Sequence, residues 1–122
     1  MGDPKNILRG HKGSLTRYKK AIDDFDINIV TRSNHDTYQK NIESLKIRIG
    51  DVYDQILAQC ATQADVDKVE ADVNPTLEEI IHLENTLAIW DDKIKEKESQ
   101  ALAMAELKKF EAQAKITAAN PV

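Results

Sequence analysis

A chain of 122 residues with a net charge of −4 fits one domain, and 41% hydrophobic with 31% charged residues suits a soluble helical protein with a narrow core. Aromatics at 5%, with 4 Gly and 3 Pro, are poor material for a sandwich or barrel. No apolar run approaches the roughly 20 residues that span a bilayer, the N-terminus has no apolar h-region of the kind a signal peptide needs, and the lone cysteine, Cys60, excludes an intrachain disulfide. A reducing, cytoplasmic setting is the simplest expectation.

The first helix opens at Asp3-Pro4, a capping carboxylate followed by proline at the first helical position. Leu8, Leu15, Tyr18, Ile22, Phe25 and Ile29 then keep a heptad rhythm, with His11 in the one missing slot. Gly10 and Gly13 weaken the first half by about 1 kcal/mol each relative to Ala, which makes Ser14 an alternative cap. Thr31-Arg32-Ser33-Asn34 breaks the rhythm, and Ser33 or Asn34 is the expected cap of a second helix. Tyr38, Ile42, Leu45, Ile49, Val52 and Ile56 repeat at helical spacing there; Ile47, Tyr53 and Leu57 widen the stripe, and the helix is expected to end near Cys60.

A third segment starts at Thr62 or Gln63. Val66, Val69, Val73, Thr76, Ile80, Leu83, Leu87, Trp90 and Ile94 hold one heptad phase across Pro75. A proline inside a helix removes a backbone bond and clashes with the preceding turn. The unbroken phase points to one helix kinked there; a break, with Asn74 as cap and Pro75 at the first position, is the alternative. The stretch KIKEKESQALAMAELKKFEAQAK has strong helix propensity and a thin apolar face of Leu102, Leu107 and Phe110. Residues 116–122 read as a linker. The expected fold is all-α: an antiparallel three-helix bundle over residues 1–95 with a long third helix, then a helical arm and linker-like tail over 96–122.

Chemistry-bearing clusters are sparse. His11, His35, His82 and Cys60 show no metal-ligand spacing. Asp23-Asp24-Asp26, Glu78-Glu79 and Asp91-Asp92 fall on polar helix faces, where acid–base work would need them to converge in a pocket. Gly-rich phosphate loops and nucleophile elbows are absent, so no enzyme, small-molecule substrate or cofactor is expected. Met1-Gly2 begins as a myristoylation motif does, but Asn6 stands where Ser or Thr is required.

Charge is unevenly placed. Lys5, Arg9, Lys12, Arg17, Lys19 and Lys20 against Asp3 give the first twenty residues +5, which leaves −9 for the others within the total of −4. With Leu8 and Leu15 at heptad position a, Lys5, Lys12 and Lys19 all fall at e, beside the apolar seam. They either pair with acidic residues of another helix, such as Glu78, Glu79 or Glu84, or contact RNA phosphates or an anionic membrane. Helix pairing, between copies or with another protein's helix, is the leading expectation for a partner.

The run Arg9-Gly10-x-Lys12-Gly13-x-Leu15-Thr16-Arg17 resembles the start of the Gag region in Pao/Bel-type LTR retrotransposon polyproteins, where a basic K-x-x-[LI]-T-R segment opens a helix. The order basic helix, amphipathic helix, acidic helix, polar linker is similar over residues 7–95, and the ending Thr117 to Val122 resembles such a linker. The resemblance implies a structural, self-associating module in particle assembly. Protease, reverse transcriptase, integrase and zinc-knuckle segments are not in this chain, so no activity of theirs is implied.

Overall fold

In the computed structural model, which describes residues 2–119 with side chains through Ala114, three helices pack against one another: α1 (Pro4–Asp23), α2 (Arg32–Ala58) and α3 (Gln63–Ala119). The chain is all-helical, as its heptads require.

α1 begins where the sequence places it. The Asp3 carboxylate accepts from the Lys5 N–H at 3.1 Å, and Pro4 occupies the first turn, where its missing donor costs nothing. Gly10 and Gly13 sit inside the helix, and Ser14 caps nothing. Leu8, Leu15 and Ile22, seven apart, are the buried positions. The helix stops at Asp23, so Phe25 packs from the connection that follows and Ile29 leaves the stripe. Residues Ile27–Ile29 form a 3₁₀ turn, with Asp26 accepting from the Asn28 N–H at 2.9 Å. At three residues per turn, Ile27 and Val30 share the inward side and Ile29 is turned out, 66% exposed.

The second helix is capped by Thr31, upstream of both expected residues. Its hydroxyl accepts from the Asn34 N–H, and the Asn34 side chain accepts from the Thr31 N–H, each at 3.1 Å. Asn34 thus takes the role Glu or Gln has in a capping box. Ile42, Leu45, Ile49, Val52 and Ile56 are buried along the expected stripe, and Tyr53 is buried beside them. Ile47 does not widen that stripe: it is 65% exposed.

α3 follows after a tight connection in which the Thr62 hydroxyl accepts from the Asp65 N–H at 3.2 Å. It continues past Pro75 without interruption, which removes the alternative break at Asn74. Ile80, Leu83, Leu87, Trp90 and Ile94 are buried. The helix also runs through residues 116–119, expected as linker; the rest of that segment, 120–122, lies outside the described residues.

The contacts define the directions. Lys12 meets Asp72, Lys19 meets Glu79 and Asp23 meets His82, so α1 and α3 run parallel. Arg32 meets Asp91, Lys46 meets Glu84 and Tyr53 meets Asp72, so α2 runs antiparallel to both. One core fills the space between them. Burying each of its large aliphatic side chains contributes about 1.5–3 kcal/mol.

At the end where α2 begins, Tyr18, Phe25, Tyr38 and Trp90 lock the three helices together. Phe25 and Trp90 lie 4.9 Å apart, and Tyr38 meets Trp90 edge-on at 5.7 Å. Tyr18 and Phe25 are only partly buried, yet both pack on the core as expected.

Candidate interaction surfaces

Heptad arithmetic places the cations of α1 against α3. Lys12 and Lys19 are seven residues apart, as are Asp72 and Glu79. Because α1 and α3 run parallel, the two spacings match and form successive rungs, the second at 3.9 Å. Lys5 and Asp65 stand one heptad earlier and line the same shallow groove, which Lys68 lines too. Of the acidic partners expected for these lysines, Glu79 takes one. Glu84 instead meets Lys46 of α2 at 3.3 Å, and Glu78 is exposed.

Lys12 is the better embedded rung. Tyr53 donates to the Asp72 carboxylate at 2.8 Å and lies 3.3 Å from the Thr76 hydroxyl, which donates to the Asp72 carbonyl at 3.0 Å. Partial burial opposes the Lys12 charge more than any one contact favours it, but the Asp72 hydrogen bond and the further interactions with Tyr53 and Asp72 together outweigh it, and Lys12 holds its proton more tightly than an ordinary lysine. The same burial opposes the Asp72 charge, and the bonds from Lys12 and Tyr53 overcome it, so Asp72 ionises below the usual carboxylate range. Burial pushes the Tyr53 phenol up. The network joins all three helices one residue from Pro75.

The remaining cations of the first helix divide. Arg17 donates to the Ser14 hydroxyl at 3.0 Å. The side chains of Lys5, Arg9 and Lys20 have no ion-pair partner among the described residues. Exposed Lys–carboxylate rungs contribute little each, about 0–1 kcal/mol. They set alignment more than stability.

Carboxylate clusters do not converge. Asp23 faces His82 at 3.1 Å, Asp24 and Asp26 cap backbone turns, and Asp91 is held by Arg32 and Lys95. The Arg32 hydrogen bond, then that of Lys95, lowers the Asp91 pKa to about 2. An open groove of about 420 Å³ between α2 and α3 is lined by His35, Glu43, Glu84 and Asp91 over Ile42 and Leu87. Its acids are already tied to Lys46, Arg32 and Lys95, except Glu43, which accepts from Gln39 at 3.1 Å. His35 is buried and lies 3.0 Å from the Asp36 carboxylate; it stands three residues before Tyr38 and seven before Ile42, in phase with the stripe, and escaped sequence reasoning because a polar side chain was not counted in it. No group of three metal-ligating side chains gathers among the described residues.

The other surface is the free end of α3. At 1.5 Å per residue its 57 residues span roughly 85 Å. Among the described residues, its last polar contacts with the bundle are Lys97 donating to the Asn28 carbonyl and Glu98 accepting from Arg32 at 3.4 Å. Every residue from Glu98 to Ala114 is exposed, including Leu102 (63%), Met104, Leu107 (50%) and Phe110 (68%). Large apolar side chains on a projecting helix stay in water unless another chain covers them.

The fold and its surfaces thus define a three-helix bundle that carries a projecting helical arm. No helix among the described residues is long and apolar enough to cross a membrane. Compared with protein-family models, characterised proteins and solved structures, the chain finds no match in any of the three.

Proposed function

We propose that the chain is a non-catalytic structural module that joins proteins by helix pairing, foremost copies of itself, as the N-terminal part of a Gag-like assembly protein does. The observation that carries this reading is the arm: a helix that leaves the bundle at Glu98 and exposes Leu102, Met104, Leu107 and Phe110 on no surface of its own fold. The Gag-like element of the reading rests on the resemblance around Arg9 to Arg17. The bundle supplies a rigid base, with one core from Leu8 to Ile94.

Anion binding through the first helix has less support. Lys12 and Lys19 already face Asp72 and Glu79, and Tyr18 packs on the core and on Tyr38 instead of offering a ring for base stacking. Light scattering across a concentration series tests the proposal. The expected result is a mean mass that climbs above one chain; a strict monomer at high micromolar protein sinks it.

A further inference from the structure

Residues 103–114 read AMAELKKFEAQA, and about the Lys108–Lys109 peptide bond this segment mirrors itself. Lys108 mirrors Lys109, Leu107 mirrors Phe110, Glu106 mirrors Glu111, Ala105 mirrors Ala112 and Ala103 mirrors Ala114. Met104 against Gln113 is the single departure. The mirror lies within the stretch from Ser99 to Ala114, every residue of which is exposed.

A helix whose chemistry reads alike in both directions complements itself when laid antiparallel. Resting on the self-association reading above, we propose that two copies pair antiparallel through their arms, centred on the Lys108–Lys109 bond.

The apolar stripe is built for a second helix and not for the bundle. Carrying the bundle's heptad forward from Ile94 puts Lys97, Ala101, Met104, Lys108 and Glu111 in its slots. Leu107 and Phe110 are not among them. They belong to a separate stripe, Ala103, Leu107, Phe110 and Ala114, spaced four, three and four. Laid antiparallel about the midpoint, Leu107 of each copy meets Phe110 of the other, and Ala103 meets Ala114. The bulky pairs fill the centre, and the alanines let the backbones approach at the ends.

Charge selects the direction. In the antiparallel pair the flanks set Glu106 beside Gln113 of the second copy and Glu111 beside its Met104, so no like charges meet. In a parallel pair Glu106 falls at g and Glu111 at the following e, which sets like charges side by side. Antiparallel alignment also opposes the two helix dipoles favourably. The overlap stops at Glu98, where each bundle begins, so the two bundles sit at opposite ends of the paired arms. A seam of under four turns falls below the roughly 1,200 Å² of a stable interface. The pairing is therefore weak for two free copies and grows where copies are tethered.

The test uses the full chain with Cys60→Ser, carrying Ala103→Cys or Ala114→Cys, the two mixed in equal amounts and mildly oxidised. The expected product is the mixed 103–114 disulfide, several times more abundant than either homodimer. Predominance of the homodimers, or crosslinking no greater than from an Ala112→Cys control on the opposite side of the arm, overturns the proposal. A Leu107→Glu, Phe110→Glu double variant separates this from the broader reading. If light scattering shows that it still associates like the parent, the arm pairing is wrong and self-association stands. If the parent is itself monomeric, both fail.

Discussion

Pro75→Ala probes the long helix at its weakest point. Pro75 is exposed within α3 and offers no N–H to the Ala71 carbonyl one turn earlier. Alanine at that place restores the donor and removes the ring clash, a difference of about 3 kcal/mol in a helix interior. Losing proline's restriction of the unfolded chain gives back about 0.4–1 kcal/mol. A net gain of about 2 kcal/mol follows, and at about 4 °C per kcal/mol for a chain of this size Tm rises by about 8 °C. The side chain faces water, so no core contact is disturbed. Thermal unfolding followed by far-ultraviolet circular dichroism, with Trp90 fluorescence as a second probe, reads the change. An unchanged or lowered Tm would refute the reasoning, since it would mean that Pro75 starts a helix, with Asn74 as its cap.

Gly10→Ala and Gly50→Ala each stabilise the fold by about 0.5–1 kcal/mol in urea unfolding, because both glycines are helical and nothing lies within 4 Å of the added Cβ; a loss of stability at either contradicts the helix assigned there. Carbonyl NMR is expected to find Asp91 titrating at about 2, below its ordinary 3.8. Its folded pKa is lowered, so its contribution to stability is present above pH 3.8 and lost as pH falls through about 2. Arg32→Ala moves that titration toward 3.8, while Lys95, at 2.9 Å, keeps it somewhat lower; an unchanged value in the variant removes Arg32 as the cause.

The heptads of Leu15, Ile42, Leu83 and Trp90 were legible because burial on one side of a helix enforces a repeat that composition cannot hide. Ile29 and Ile47 misled for opposite reasons. Ile29 falls in a 3₁₀ turn, where the period changes from 3.6 to 3, and Ile47 sits on the outer side of α2 with no neighbour to cover it. Thr31 was passed over as a cap in favour of Ser33 or Asn34, because all three are good capping residues and only the reciprocal bonds with Asn34 single out Thr31. Lys12 and Lys19 were placed correctly beside the seam. The expected antiparallel bundle makes α1 and α3 parallel, but heptads alone do not encode the register that sets these lysines against Asp72 and Glu79. The arm's stripe was legible only as three scattered residues, since a search for a single core repeat passes over a second repeat in another phase.

Sedimentation equilibrium of the intact chain, from low to high micromolar concentration, tests the central claim that this bundle exists to join protein chains. The account predicts a reversible rise from one chain toward two, abolished by the Leu107→Glu, Phe110→Glu pair with Tm unchanged. A single-chain mass at every concentration contradicts it.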